Sequence, residues 1–247
     1  LEVKADATGQ LVLRSTNQPQ ASLPSSLNDY VRELFDLDRD LSEFHALIDQ
    51  NPILRALQPH RGLRLIRIPD LFETICWTII GQQINLTFAY KLKARLVEAT
   101  GRAHAFEGHT YHAFPSPEAV LTLSPDDLRG MQYSRQKADY ILTLAQTFAD
   151  NRISRAQLEG LDDYTAAHRR LVELRGIGPW SADYALLKCL GYPQAFPIAD
   201  VGLHNALARV LDRPAKPSVA EIRDIAKDWK NWEGYATFFL WRTLIKT

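Results

Sequence analysis

The chain has 247 residues, 46% hydrophobic and 23% charged, and its 29 Lys and Arg balance 29 Asp and Glu. This size fits one sizeable domain or two lobes sharing a core, and the composition excludes a disordered chain. No apolar run approaches the roughly 18 residues of a membrane helix. With no basic excess, any nucleic-acid surface has to gather its positive residues on one face.

Residues 1 to about 25 are polar and Pro/Ser-punctuated, with one short extended candidate at Leu11-Val12-Leu13. They are expected to form an N-terminal extension, followed by one helical domain over 26–247. Leu1–Gln20 lacks the basic-then-apolar pattern of a secretory signal, so a cytoplasmic location is the expectation. In Tyr30–Ile48 the residues Leu34, Leu37, Leu41, Phe44 and Ile48 recur at three- and four-residue steps and predict one buried helical stripe. Gly62–Ile68 alternates as a short extended segment. Leu71–Thr100 reads as helix broken at Gly81-Gln82-Gln83, with Asn85 capping its second half and Gly101 ending it. Residues 102–115 read as a loop whose three histidines, His104, His109 and His112, have no carboxylate or cysteine at a ligand spacing; solvated side chains are the expectation, and no metal.

Further helices are predicted to start at Ser124, at Ser134 and at Ser218, which forms a capping box with Glu221. From Asp162 the helical pattern is nearly continuous, with turns near 175–179, 191–199 and 212–218. Cys76 and Cys189 each lie in an apolar stretch and read as core, with no disulfide framework. The fold class is all-α.

The segment Leu171–Tyr184 reads as an amphipathic helix, a tight turn holding Gly176 and Gly178, and a second helix opened by Pro179. Ile177 is expected to plug this hairpin into the core. Glycine admits backbone geometry closed to other residues and lets another backbone approach. The amides that open the second helix then point outward with the positive end of the helix dipole, a site suited to phosphate. A Gly-Ile-Gly turn alone is weak evidence, because many helix pairs end in glycine. About 20 residues on, Phe196-Pro197-Ile198-Ala199-Asp200 leads into a helix over Val201–Leu211. Asp200 reads as an ordinary N-cap, and that role is compatible with a catalytic one.

Together these elements resemble the helix-hairpin-helix (HhH-GPD) glycosylase superfamily, and within it the 3-methyladenine DNA glycosylase II group. Ile79-Ile80-Gly81-Gln82-Gln83 is similar to that group's helix break, and Trp229–Ala236 through Leu240-Trp241 to its C-terminal helices. The resemblance covers roughly Leu41 to Thr247. It implies two helical lobes with a cleft between them and at most a short β remnant in the N-terminal extension. It also implies a monomer that binds double-stranded DNA, flips out an alkylated base such as 3-methyladenine or 7-methylguanine, and hydrolyses its N-glycosidic bond.

Under that resemblance Asp200 is the essential carboxylate, and Trp180, Tyr184 and Trp241 line the base pocket. Without it, three aromatics on helices read as core. Gln83 falls where the family places a wedge in the DNA stack; from the residues alone it reads equally as a polar residue at a helix break. Arg175, Gly176, Gly178 and Trp180 are expected at the DNA backbone, with Arg169 and Arg170 as further phosphate ligands or a solvated helix face. Related hairpins often hold a monovalent cation through main-chain carbonyls, and no other cofactor is expected.

Bifunctional relatives carry a Schiff-base lysine directly after the hairpin. Trp180 occupies that position here and Lys188 lies two turns on, so no lyase activity is expected. Two cysteines cannot hold a four-cysteine iron–sulfur cluster. Val201 stands where a pocket aromatic would be unsurprising, and its smaller side chain would widen the site. The alternatives to this reading are a non-catalytic hairpin module that binds DNA, a glycosylase for deaminated, oxidised or mismatched bases, and a helical protein that binds a small molecule.

Overall fold

The computed structural model describes residues 2–5, 11–14 and 25–245, most of them helical. At the N-terminus β1 (Glu2–Ala5) pairs antiparallel with β2 (Leu11–Arg14), so the extended candidate at Leu11–Leu13 has a partner strand. Residues 15–24 of the expected N-terminal extension lie outside the described residues.

The apolar stripe over Tyr30–Ile48 belongs to two helices, α1 (Ser25–Leu34) and α2 (Ser42–Gln50), where one was expected. Leu41, Phe44 and Ile48 are buried, while Leu34 and Leu37 are half-buried. The break lies at Asp36, which takes a left-handed φ of 49°. Its buried carboxylate accepts hydrogen bonds from the Tyr235 hydroxyl and, at 2.6 Å, from Arg39, and Arg67 lies 3.9 Å away. A buried carboxylate requires such partners, and the turn brings it to them.

Next in the chain, α3 (Leu71–Gly81) and α4 (Leu86–Thr100) start and stop where the sequence predicts. Asn85 accepts the Phe88 amide at 2.9 Å, and α3 is buried along nearly its whole length. Residues 102–115 depart from the expected loop. They contain β3 (Ala103–Phe106) and β4 (His109–His112), an antiparallel hairpin. Glu107 and Gly108 have φ of 47° and 77°, and two successive positive values are what a two-residue hairpin turn requires. His104 pairs with Tyr111 and Phe106 with His109, so His104 and His109 share one face while His112 lies on the other.

Six short and medium helices follow: α5 (Pro117–Val120), α6 (Pro125–Gly130), α7 (Arg135–Ala149), α8 (Arg155–Glu159), α9 (Tyr164–Val172) and α10 (Pro179–Ala185). Ser or Asp caps each of the first five by accepting the third helical amide. Beyond Ala185, α10 widens into a π turn over Leu186–Leu190 and ends at Gly191 with φ 74°. The segment expected to be extended, Gly62–Ile68, pairs with no strand among the described residues; it caps this helix end. Ile68 N–H donates to Lys188 O at 2.7 Å, Arg67 to Cys189 O, and Arg39 to Gly191 O at 2.6 Å. Lys188 donates in return to Ile66 O, and burial pushes its pKa down to about 8.

The chain closes with α11 (Val201–Val210), α12 (Val219–Ile225) and α13 (Glu233–Arg242). Two lobes result. In one, α4, α7 and α10 pack on α3. In the other, α13 packs on α11 and its Tyr235 and Phe239 rings meet Phe44 of α2, the Phe44–Phe239 centroids being 4.9 Å apart. Among the described residues no helix is long and apolar enough to cross a membrane.

Replacing Asp36 leaves Arg39 and Arg67 without their carboxylate. Asp36→Ala is expected to cost about 3–5 kcal/mol, read as a lower urea midpoint.

Candidate active site

The turn between α9 and α10 is built by its neighbours. Ile177, buried as expected, donates its amide to Leu174 O at 3.0 Å. Gly176 has φ 88°, and a Cβ there would fall 2.5 Å from the Tyr140 ring. Only glycine satisfies both the dihedral and the space. The Gly176 carbonyl accepts from Gln82 Nε2 at 2.9 Å, so the break after α3 is bolted to the hairpin. Gly178 is the N-cap of α10, Pro179 its first residue, and no side chain caps it. The leading amides, including those of Gly178 and Trp180, therefore lack intrahelical acceptors.

Gln83, beside the bolt, is exposed and has a left-handed φ of 58°. Arg175 is 65% exposed in its side chain, lies 2.7 Å from Asp139 and covers the Tyr140 ring. The neighbouring arginines differ in their surroundings. Arg170 is engaged by Glu173 at 3.0 Å and the Arg152 carbonyl at 2.6 Å, whereas Arg169 is exposed with no side-chain partner among the described residues.

Asp200 sits where the chain leaves the loop after α10 and enters α11. As the N-cap of α11, its Oδ2 accepts the Leu203 amide at 2.8 Å. Oδ2 also accepts the Trp241 indole N–H at 2.8 Å, and Oδ1 accepts that of Trp180 at 3.1 Å. Trp180 on α10 and Trp241 on α13 thus converge on one carboxylate. Tyr184, one turn beyond Trp180, lies between them with ring centroids 5.8 Å and 6.1 Å away. All three rings are half-buried, and burial raises the Tyr184 hydroxyl well above the ordinary tyrosine value. A carboxylate offers about four acceptor positions; three donors leave one, on Oδ1, for another hydrogen-bonding group. The structure thus brings together all four residues singled out for the pocket. Val201 is 64% exposed beside them.

Several contributors escape a reading of the sequence. Gly202 carries no side chain because a Cβ would meet Asp200 Oδ2 at 2.8 Å and the Trp241 indole at 3.1 Å. Tyr140 and Gln82 shape the hairpin from other helices. Asp183, one turn beyond Trp180 on α10, accepts from the Tyr164 hydroxyl and the Phe196 amide and lies 3.6 Å from His168 Nε2. Burial pushes its pKa up to about 6, against the opposing pull of Tyr164, His168 and Phe196. Asp183 thereby ties the helix bearing Trp180 to the loop that delivers Asp200. A separate surface concavity, lined by Asp29, Arg32, Glu33, Asp36, Asp38 and Arg67, presents ion pairs and no aromatic surface.

A sequence profile described as "HhH-GPD superfamily base excision DNA repair protein" matches residues 76–231. The chain belongs to this superfamily. Its matched region contains the hairpin, Asp200, and all but the C-terminal helix of the site. Among curated relatives, the Bacillus subtilis protein named DNA-3-methyladenine glycosylase is 44% identical over 218 residues, spanning 87% of this chain and 71% of its own. Escherichia coli DNA-3-methyladenine glycosylase 2 is 29% identical over 183 residues, 74% of this chain and 61% of its own. The solved structure titled 3-methyladenine DNA-glycosylase from Archaeoglobus fulgidus superposes with a TM-score of 0.79 over 97% of this chain and 80% of its own, at 24% identity. At that identity the match speaks to the fold, which is the HhH-GPD fold.

Gly202→Ala is expected to push Trp241 off Asp200, costing about 1–3 kcal/mol by overpacking and changing the near-UV circular dichroism of the tryptophans. For Asp183 the sign follows from a native pKa above the unfolded value of 3.8. The native state holds the proton to higher pH, so this group's contribution to stability declines as pH rises from about 4 to about 6. Asp183→Asn does not titrate, and its stability relative to wild type is expected to improve by about 1–3 kcal/mol between pH 4 and pH 7 in urea melts.

Proposed function

We propose that this chain is a monofunctional DNA glycosylase that flips an alkylated purine out of duplex DNA and hydrolyses its N-glycosidic bond, with Asp200 as the catalytic carboxylate. The observation that carries this reading is Asp200 itself, held by two indole N–H donors within a cluster of half-buried rings. The relatives named 3-methyladenine glycosylases support the substrate class.

A target base is unreachable inside the stack, and extrusion costs a few kcal/mol, less for a damaged pair. Exposed Gln83 would fill the vacated space. The open amides at Gly178 and Trp180 would hold a phosphate at the positive end of α10, with Arg175 exchanging Asp139 for a second phosphate. The turn's main-chain carbonyls, apart from Gly176 O, which Gln82 already occupies, are where a monovalent cation would bind.

Purines alkylated at N3 or N7 carry positive charge, and an aromatic face attracts a cation by roughly 0.5–2 kcal/mol. The same charge makes the base a good leaving group, so no strong general acid is needed. The bond from C1′ to the base nitrogen breaks with its electron pair going to the base, which leaves neutral. Water supplies the new bond to C1′ and gives up a proton. Asp200 faces the oxocarbenium-like sugar with its charge, and the free acceptor position on Oδ1 orients that water or takes its proton. The two indoles fix the carboxylate, so little reorganisation is needed as charge develops.

The residue directly after the hairpin turn is Trp180, whose N–H points to Asp200. Lys188 is buried, bonded to Ile66 O and lying over the Phe238 ring, away from the pocket. Neither position therefore places an amine to attack C1′, and the enzyme is expected to leave an intact abasic site.

Asp200→Asn keeps an acceptor for the Leu203 amide and removes the charge. In duplex DNA containing 7-methylguanine, single-turnover base release is expected to fall by about 10²-fold or more while DNA affinity changes little. Borohydride is expected to trap no covalent complex with either protein. Equal release by both proteins would remove Asp200 from the mechanism.

A further inference from the structure

The rings around Asp200 come from α10 and α13. A further aromatic pair stands beside them on α3 and α4, and α3 packs directly on α10. Tyr90 of α4 stacks on Trp77 of α3 with centroids 5.0 Å apart and planes 38° from parallel. Tyr90 is nonetheless 58% exposed, so this ring is held in place by Trp77 while much of its surface faces solvent. The pair is coupled to the pocket as well as near it. The Trp77 indole makes a polar contact with the Tyr184 hydroxyl, and Tyr90 lies close enough to act on that hydroxyl electrostatically. The Gln82 bond to Gly176 O at 2.9 Å fixes the end of α3 against the hairpin, which holds Trp77 in register with α10.

Packing alone does not account for the pair. A half-solvated tyrosine stacked on a partner contributes little to a core, and α4 already buries Ala89, Leu92 and Leu96 on its inner face. The local electrostatics suit a cation. Lys93 lies 5.7 Å from the Trp77 ring centre, which would repel a positive ligand, but Glu73 pairs with its ammonium at 2.6 Å. The remaining electron-rich surface is the exposed part of Tyr90.

We propose that Tyr90, stacked on Trp77, is a specificity-determining wall of the base pocket that favours a positively charged base over a neutral one of the same shape. The inference rests on the glycosylase reading above and adds to it the residue that senses charge. Tyr90 presents the negative face of its ring to the extruded base, and Trp77 sets the angle of that ring and links it to Tyr184. Trp180 and Trp241 are committed through their N–H groups to Asp200, so their orientation serves the sugar chemistry. The α3–α4 pair is free of that duty and is the part of the pocket able to select among bases.

The test uses the intact protein with Tyr90→Leu, which keeps apolar bulk and removes the ring, and Tyr90→Phe, which keeps the ring. Two quantities are measured at pH 6. One is single-turnover excision of 7-methylguanine from a defined duplex. The other is inhibition of that excision by 7-methylguanosine, cationic at this pH, relative to guanosine. Tyr90→Leu is expected to slow excision roughly tenfold and to reduce the preference for the methylated nucleoside by a similar factor, in line with one cation–π contact. Tyr90→Phe is expected to stay within about twofold of wild type on both measures. If Tyr90→Leu slows excision but leaves the nucleoside preference intact, Tyr90 is a structural or DNA-backbone residue and the inference is overturned. A wild type with no preference for the cation overturns it too. Failure of wild type to release 7-methylguanine at all would instead overturn the glycosylase reading, and this inference with it.

Discussion

Burial of the end of α10 removes water from the carbonyls of Lys188, Cys189 and Gly191, and each is met by a donor from the chain before α3: the Ile68 amide, Arg67 and Arg39. An uncapped, buried helix end would cost several unsatisfied acceptors. Asp36 holds the two arginines that do the capping, and the Tyr235 hydroxyl of α13 bonds the same carboxylate. One network therefore ties α1, the 62–68 segment, α10 and α13 together. Because α10 carries Trp180 and α13 carries Trp241, the same network sets how the two indoles approach Asp200. The π turn at Leu186–Leu190 belongs to this arrangement, since it brings Lys188 round to Ile66.

Under the proposed mechanism Asp200 serves fold and chemistry together. As an N-cap it satisfies an amide of α11, and the helix fixes its carboxylate in return. The indoles of Trp180 and Trp241 leave it hydrogen-bonded on both oxygens, with no cationic side chain paired to it among the described residues. A paired guanidinium would have neutralised the charge that an oxocarbenium-like sugar needs. Neutral N–H donors position the carboxylate and leave that charge available.

The zero net charge of the chain does not tell where its arginines are used. Arg39, Arg64, Arg67 and Arg155 are spent on carbonyls and carboxylates that brace the lobes. Arg170 is likewise engaged, which leaves Arg169 and Arg175 as the exposed cations at the hairpin. The composition counts bracing and ligand-facing arginines alike, so it was a poor guide to a DNA surface. The amides of α10 carry no formal charge and never enter that count.

Local rules written in adjacent residues were legible before any coordinates. The serine and aspartate caps, Asn85, the glycines of the hairpin, Pro179, and the spacing of Trp180 and Tyr184 act within one or two helical turns, and they came out where periodicity and capping placed them. Glu107-Gly108 is legible in principle as a hairpin turn, but the flanking runs are only four residues long and carry histidines rather than a clear apolar alternation. The break at Asp36 was not legible, because its cause is Tyr235, about 200 positions away. The same holds for the capping role of residues 62–68, for Tyr140 beneath Gly176, for Gln82 as the bolt and Asp183 as the tie, and for Gly202 beneath Trp241. The sequence by itself determined that a hairpin, a capped Asp200 and three aromatics exist, because these depend on short-range backbone geometry. Only the tertiary structure decided that Trp180 and Trp241 point their N–H groups at one carboxylate, because that convergence depends on which buried polar groups satisfy one another across the fold.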